Sequence, residues 1–349
     1  VDEARLNQLL EQVIGDMGGA LTSALVRIGD ELGLYRALDA AGPCTSAELA
    51  AHTGTAERYV REWLNNQAAA GYVSYAGGQR YSLSPEQAEL FVNEDSPACV
   101  LGGFEGMHAA TLAREKVAAA FRTGEGVGWH EHHADLFEGT ERFFRPGYAA
   151  NLTEAWIPAL GGVADRLREG GRVADVGCGY GASTILMALA YPASRFWGFD
   201  YHEPSVQVAV KRAADAGVGD RVKFEVASAQ DYPGTGFDLV CHFDCLHDMG
   251  DPVGAARHAR ESLAQDGTWM LVEPFAGDDV ADNLNPIGKV FYGVSALVCT
   301  PASLSQQPRY GLGAQAGEAR LRHVAEQAGF SRFRRATETP FNIVLEGKP

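Results

Sequence analysis

From about residue 172 to the end, short apolar runs alternate with amphipathic stretches, a pattern that few folds accommodate. RVADVG, RFWGFD, VKFEVA, FDLVCHF and TWMLVEP read as strands, with helices between them over about 183–190, 204–216 and 252–264. A further helix over 316–328 precedes FRRATETP and FNIVLEG, which read as a hairpin-like closing pair. This alternation predicts a parallel sheet covered by helices on both faces, a doubly wound α/β domain.

The first strand runs into VADVGCGYGAST, which places Gly177, Gly179 and Gly181 ahead of the first helix. Glycines there permit a tight turn and close approach of backbone to a ligand. The second strand ends at Asp200, nineteen positions beyond Gly181. A carboxylate at that tip can accept both ribose hydroxyls of a nucleoside. Ala182 also completes a GxGxxA pattern, so the glycines alone leave a nicotinamide dinucleotide open as the cofactor.

The fourth strand leads into LVCHFDCLHDMGDP, residues 239–252, and the next strand ends at Glu273. Ligands of open α/β sheets bind beyond the carboxyl ends of the strands, so His247 and Glu273 can reach one crevice. A carboxylate beside a histidine fixes its tautomer and raises its pKa, which makes it a better base. His247 is therefore a candidate base and Glu273 its orienting partner. Asp248 joins them or satisfies local backbone donors. Asp251, ahead of Pro252, reads as a helix N-cap with proline in the first helical position.

The N-terminal part has another character. Residues 4–40 carry helical spacing with a break near Gly18 and Gly19. Ser46 is placed to cap a helix from Ala47 to His52, and Gly54 to turn the chain into a helix from Thr55 to Ala70. Short strands over Tyr72–Tyr75 and Arg80–Leu83 complete a winged-helix pattern. The domains expected are a winged-helix or dimerisation domain (1–90), a helical, aromatic-rich pocket lid (91–160) and the α/β domain (161–349).

Charge argues against nucleic acid. The chain carries a net charge of −16, and Arg58 and Arg61 in the would-be reading helix are balanced by Glu57 and Glu62. The apolar residues of helix 4–30 exceed what one small winged helix can cover, which points to a homodimer through these helices. No stretch reads as long and apolar enough to span a bilayer, and no basic region precedes an apolar run as in a signal peptide. Six cysteines without a CxxC suit a reducing cytoplasm. His130, His132 and His133 cluster in WHEHHADLFEG, yet no spacing converges them and no cysteine lies near, so no metal is expected.

DVGCGYGAS, GFDYHEPSV, ASAQDYP, FDLVCHFDCLHDMGDP and LVEPF together resemble the class I S-adenosylmethionine-dependent methyltransferases. The winged helix and the tail GAQAGEARLRHVAEQAGFSRFRRATETPFNIVLEG resemble a small-molecule subgroup, some members of which are described as transcriptional regulators. The resemblance implies a Rossmann-like sheet that binds S-adenosylmethionine and releases S-adenosylhomocysteine. Asp175 and the backbone of Gly177, Cys178 and Gly179 would line the methionine part. Asp200 would hold the ribose, with Tyr201 beside the adenine. Ser228, Ala229 and Gln230 would edge the adenine; many relatives carry aspartate in place of Ser228, and Gln230 or Asp231 would compensate. The backbone near Phe243 would close the methionine side. Plant-type O-methyltransferases carry a histidine-aspartate pair after the fourth strand and a glutamate at the end of the fifth, matched here by His247, Asp248 and Glu273. Met249 stands where they usually have tryptophan, and Glu318 is a poor match for their second glutamate. The implied activity is methylation of a small-molecule acceptor, with His247 taking a proton from a hydroxyl. An amine or carbon nucleophile, a nicotinamide oxidoreductase and a ligand-sensing regulator are the competing readings.

Overall fold

The computed structural model describes residues 1–349, which divide into two compact units. One comprises Val1–His108 with Glu138–Pro146, the other Ala109–Phe137 with Gly147–Pro349. Segment 91–160 is therefore shared between the two rather than standing alone.

In the first unit α1 (Glu3–Glu31) is capped by Asp2, whose carboxylate accepts the Ala4 and Arg5 N–H groups. The break expected at Gly18 and Gly19 is absent. Each glycine costs a helix about 1 kcal/mol relative to alanine, which a helix of 29 residues absorbs. The chain turns instead at Gly33, which adopts a φ of +68°. There follow α2 (Leu34–Ala41), α3 (Ser46–Thr53) and α4 (Glu57–Ala69). The cap of α3 is Thr45, not Ser46: Thr45 and Glu48 form a reciprocal capping box, and Ser46 donates to Glu57. The wing strands β1 (Ser74–Gly77) and β2 (Arg80–Ser82) pair antiparallel, and α5 (Pro85–Phe91) follows. The first wing strand starts later than expected because the Tyr72 N–H still bonds Gln67 at the end of α4, while the Tyr72 ring packs on Phe91. Val26, Tyr35, Leu38, Leu49, Leu64 and Phe91 are among the core residues. Trp63 presses on Gly29, where a Cβ would come within 2.5 Å. From Glu3 to Leu21, by contrast, α1 buries nothing, and Leu6, Leu10, Val13, Ile14 and Met17 are exposed.

Helices α6 (Leu101–Leu112), α7 (Arg114–Thr123), α8 (Asp135–Asn151) and α9 (Val163–Glu169) precede the main sheet. Five strands of the second unit run parallel: β3 (Arg172–Val176), β4 (Arg195–Asp200), β5 (Val222–Val226), β6 (Phe237–Phe243) and β7 (Leu263–Pro274). The hairpin of β8 (Arg332–Glu338) and β9 (Asn342–Lys348) closes the sheet, with β9 antiparallel to β7. The spatial order is β5-β4-β3-β6-β7-β9-β8. Helix α10 (Ala182–Ala190) follows β3, α11 (Glu203–Asp215) follows β4 and α12 (Pro252–Ser262) follows β6. The order reverses between β3 and β6, which opens a crevice at their carboxyl ends.

Val176, Phe199, Phe237, Trp269, Leu271 and Leu345 form part of the sheet core. Trp269 stacks on Phe330 and donates its indole N–H to His242 at 3.0 Å. Burial drives the His242 pKa down to about 3, so this strand histidine is a neutral core residue.

Past β7 the chain forms α13 (Pro286–Val294), a π-helical turn over Ser295–Cys299 and α14 (Thr300–Leu304), before α15 (Gly317–Gln327). One expectation is corrected here. Pro286–Leu304 is a helical run of 19 residues with a mean hydropathy of 1.3, long and apolar enough by those measures to cross a membrane. Its apolarity has a local use: Val298, Cys299, Ala302 and Ser303 are buried, and the Ser303 hydroxyl donates to the Met249 carbonyl.

Candidate active site

The glycine loop between β3 and α10 divides its labour. A Cβ on Gly177 would meet the Cys245 sulfur at 2.7 Å, and one on Gly181 would meet the Phe224 ring at 2.6 Å. Those two glycines serve packing and turning. Gly179 has a φ of +52° but open space beside it, and its N–H donates to Asp200 at 2.9 Å. Its backbone is the part of the loop a ligand can approach. Cys178 is buried, and burial pushes its thiol pKa well up.

Asp200, at the tip of β4, holds the Gly179 N–H with one oxygen and the His202 N–H with the other, each at 2.9 Å. A carboxylate retains further lone pairs after two such bonds. Asp175, near the tip of β3, accepts the Ser183 and Thr184 hydroxyls on one oxygen, each at 2.6 Å. Its other oxygen is buried without a partner, and burial raises the carboxyl to about 6. A bare buried carboxylate oxygen, a strand-tip acid and an open glycine suit a ligand that carries both a ribose and positive charge. Tyr201 is half exposed, with its ring edge-on to His130 at 6.3 Å. Just past β5, Ala229 packs on the core, Gln230 is exposed, and the Ser228 hydroxyl donates to Asp231. Phe243 is buried at the end of β6 against Tyr148. The residues expected to bind cofactor thus lie at the carboxyl ends of β3, β4, β5 and β6.

His247 sits in a short turn, Leu246–Asp248, beyond β6. One oxygen of Glu273 accepts the Leu246 N–H at 3.0 Å, and the other bonds Nδ1 of His247. Both side chains are buried. The carboxylate assigns the proton to Nδ1 and leaves Nε2 on the side of Cys299 and Asp248. Burial opposes a charged imidazole, but Glu273 and then Asp248 outweigh it and raise the His247 pKa well above the usual value. Nε2 lies 3.2 Å from Asp248 Oδ1, too poorly aligned for a hydrogen bond, since that oxygen has no partner. The turn is fastened to the glycine loop: the Cys245 thiol donates to the Val176 carbonyl at 3.2 Å. Asp251 caps α12 as expected, accepting the Gly254 N–H at 2.7 Å.

Three participants escaped the sequence reading. Trp129 donates its indole N–H to Asp248 at 2.7 Å across 119 positions of sequence. Asp244 takes a φ of +48° and accepts from Tyr148 and Asn342, each at 2.7 Å. Burial, then Glu273, pushes the Asp244 carboxyl up to about 8. Cys299 completes a trio with His247 and Asp248 whose ligating atoms lie within 4.8 Å of one another. Burial and then Asp248 push its thiol up to about 12, and a protonated thiol is a poor metal ligand. Asp244 and Trp129 stood inside runs of interest, but nothing in a sequence pairs residues so far apart.

The remaining candidates lead elsewhere. Glu318 is committed to Arg322 and Arg335. His108 is exposed on α6. Of the histidine cluster, His130 faces Tyr201, His133 pairs with Asp135, and His132 is buried.

Known proteins resemble both parts of the chain. Residues 167–328 match the family described as methyltransferase domain, and residues 20–92 match the Rv2258c-like winged HTH domain. The 27-O-demethylrifamycin SV methyltransferase of Amycolatopsis mediterranei is 34% identical over 178 residues, which cover 49% of this chain and 59% of that relative. The chain thus spans about three fifths of that relative's length. The mitomycin 7-O-methyltransferase MmcR matches 99% of this chain and 100% of its own, with a TM-score of 0.73 and 20% identity. The O-methyltransferase NcsB1 from neocarzinostatin biosynthesis, in complex with S-adenosylhomocysteine and 1,4-dihydroxy-2-naphthoic acid, covers 94% and 96%, with a TM-score of 0.62 and 20% identity. These two likenesses carry the fold over nearly the whole length. By these matches the chain carries a methyltransferase domain over residues 167–328, preceded by a winged HTH domain, in the fold of the O-methyltransferase structures.

Proposed function

We propose that the protein transfers a methyl group from S-adenosylmethionine to a hydroxyl of a small-molecule acceptor, with His247 as general base. The observation that carries this reading is the buried His247–Glu273 hydrogen bond beside the glycine loop. Asp175 and the open backbone at Gly179 hold the methionine part, Asp200 the ribose, and Tyr201 with Ser228, Ala229 and Gln230 the adenine. Phe243 closes the methionine side. Bound S-adenosylmethionine supplies an electrophilic methyl group on a cationic sulfur. His247 Nε2 takes the acceptor's hydroxyl proton as the oxygen bonds to the methyl carbon and the carbon–sulfur bond breaks. Glu273 stabilises the imidazolium that results. Holding both reactants in a dry pocket supplies most of the rate, and the base adds roughly a hundred- to ten-thousandfold.

The test is direct. Calorimetry with S-adenosylhomocysteine is expected to give saturable binding where NADH gives none. Methyl-labelled S-adenosylmethionine is expected to label a phenolic acceptor from a panel of naphthols and hydroxynaphthoates. Absence of S-adenosylhomocysteine binding ends the proposal.

The exposed face of α1 supports a homodimer, with Leu6, Leu10, Val13 and Met17 at helical spacing paired against a second copy. In α4, Arg58 pairs with Glu62 and Arg61 with Glu57, so no surplus of positive charge is left for a phosphate backbone. We read the winged helix as an assembly module that binds no nucleic acid. All six cysteines are free thiols, which supports a cytoplasmic setting.

A further inference from the structure

His132 is 8% exposed, and neither ring nitrogen has a hydrogen-bond partner. Buried polar groups are normally paired, so an imidazole bare on both sides calls for an explanation. His242 offers a contrast. It too is buried, but Trp269 satisfies one of its nitrogens, and it lies within the sheet.

The surroundings of His132 point to the reacting end of the sheet. Its N–H closes the short turn that Trp129 begins, bonding the Trp129 carbonyl at 3.1 Å. The indole of that tryptophan is fixed on Asp248, next to the candidate base. On the other side, Leu136 packs with Val298, whose neighbour Cys299 reaches His247 and Asp248. Val127 is tied to Pro301 by a backbone hydrogen bond. The segment bearing His132 is thus bound at several points to the elements around His247. Burial lowers the His132 pKa, so the ring is neutral and presents one N–H donor and one lone pair.

We propose that His132 is a specificity residue that hydrogen-bonds a second oxygen of the methyl acceptor while His247 deprotonates the first. The acceptor class is a phenol bearing a further hydroxyl, carbonyl or carboxyl oxygen. This rests on the methyltransferase reading above. It also gives the histidine-rich segment a role other than metal binding, because its three imidazoles have separate surroundings.

The experiment compares wild type with His132→Phe on 1,4-dihydroxy-2-naphthoic acid and on 1-naphthol. Phenylalanine retains the ring's bulk and removes both unpaired nitrogens, so the melting temperature without ligand is expected to hold or rise. The expected result is a tenfold or greater rise in KM for the naphthoate, with kcat within threefold. KM for 1-naphthol and Kd for S-adenosylhomocysteine should stay within twofold. Equal KM for the naphthoate in both proteins overturns the assignment while leaving the methyltransferase reading intact. A parallel loss of kcat on both acceptors and of S-adenosylhomocysteine affinity shows a merely structural role and also overturns it. If neither compound is methylated, calorimetry of the naphthoate into S-adenosylhomocysteine-loaded protein decides. Equal affinity for both proteins, or no binding to wild type, overturns the inference; failure to bind S-adenosylhomocysteine at all overturns the methyltransferase reading instead.

Discussion

Glu273 holds His247 through Nδ1 across the tips of two neighbouring parallel strands, β6 and β7. The carboxylate raises the histidine pKa against the opposing effect of burial. A base acts in its neutral form, so activity is expected to fall as pH falls through the raised value, on the alkaline side of an ordinary histidine. Glu273→Gln removes the charge that sustains the shift. The rise of the kcat–pH profile is then expected to move to lower pH, as steady-state rates across a pH series would show. An unmoved profile would mean that another group titrates.

His247→Ala removes the proton acceptor but none of the groups expected to bind cofactor. Turnover is expected to drop roughly a hundred- to ten-thousandfold, with S-adenosylhomocysteine affinity within a fewfold of wild type. Single-turnover rates and calorimetry measure the two separately. Unchanged turnover would leave positioning alone as the source of rate.

The glycines of the loop should respond differently to alanine. Gly177→Ala adds a Cβ 2.7 Å from the Cys245 sulfur at a φ of +76°, so it is expected to lower thermal stability. The left-handed conformation alone costs about 1–2 kcal/mol. Gly179→Ala, at a φ of +52°, carries the same left-handed cost but meets no protein atom within 4 Å, so it is expected to lower thermal stability less than Gly177→Ala and to act more on cofactor affinity. Melting curves with and without S-adenosylhomocysteine distinguish the two.

Asp200→Asn removes a charged acceptor at the ribose position. A hydrogen bond to a charged group is worth about 1.5–3 kcal/mol, which corresponds to a loss of S-adenosylhomocysteine affinity on the order of ten- to a hundredfold. Asp175 adds a pH signature. Its carboxyl is raised to about 6 by burial, and a cationic ligand favours the ionised form. Affinity for S-adenosylmethionine is therefore expected to weaken as pH falls below about 6, and calorimetry at pH 5 and pH 7.5 checks it.

Leu10→Glu with Ile14→Glu places two charges on the exposed face of α1. Light scattering is expected to find wild type as a dimer and the double variant as a monomer with its fold intact by circular dichroism. A monomeric wild type would leave that face to another partner.

Much of the sheet was legible in advance because buried parallel strands are written as short apolar runs and their helices as amphipathic ones. Asp251 with Pro252 stated its capping role in two adjacent letters. Local signals failed where two answers were close in energy. Thr45 took the cap expected of Ser46, and α1 ran through two glycines that looked like a break.

The residues alone determined that a glycine loop, a strand-tip acid and a histidine would gather at the carboxyl ends of the strands, because each follows its own strand directly. Only the tertiary structure decided what surrounds that histidine. Cys299 beside it, and Trp129 on the adjoining Asp248, come from segments far from it in sequence. Their placement depends on which helices pack over the strand ends, a long-range choice made by side-chain shape and burial rather than by any local periodicity.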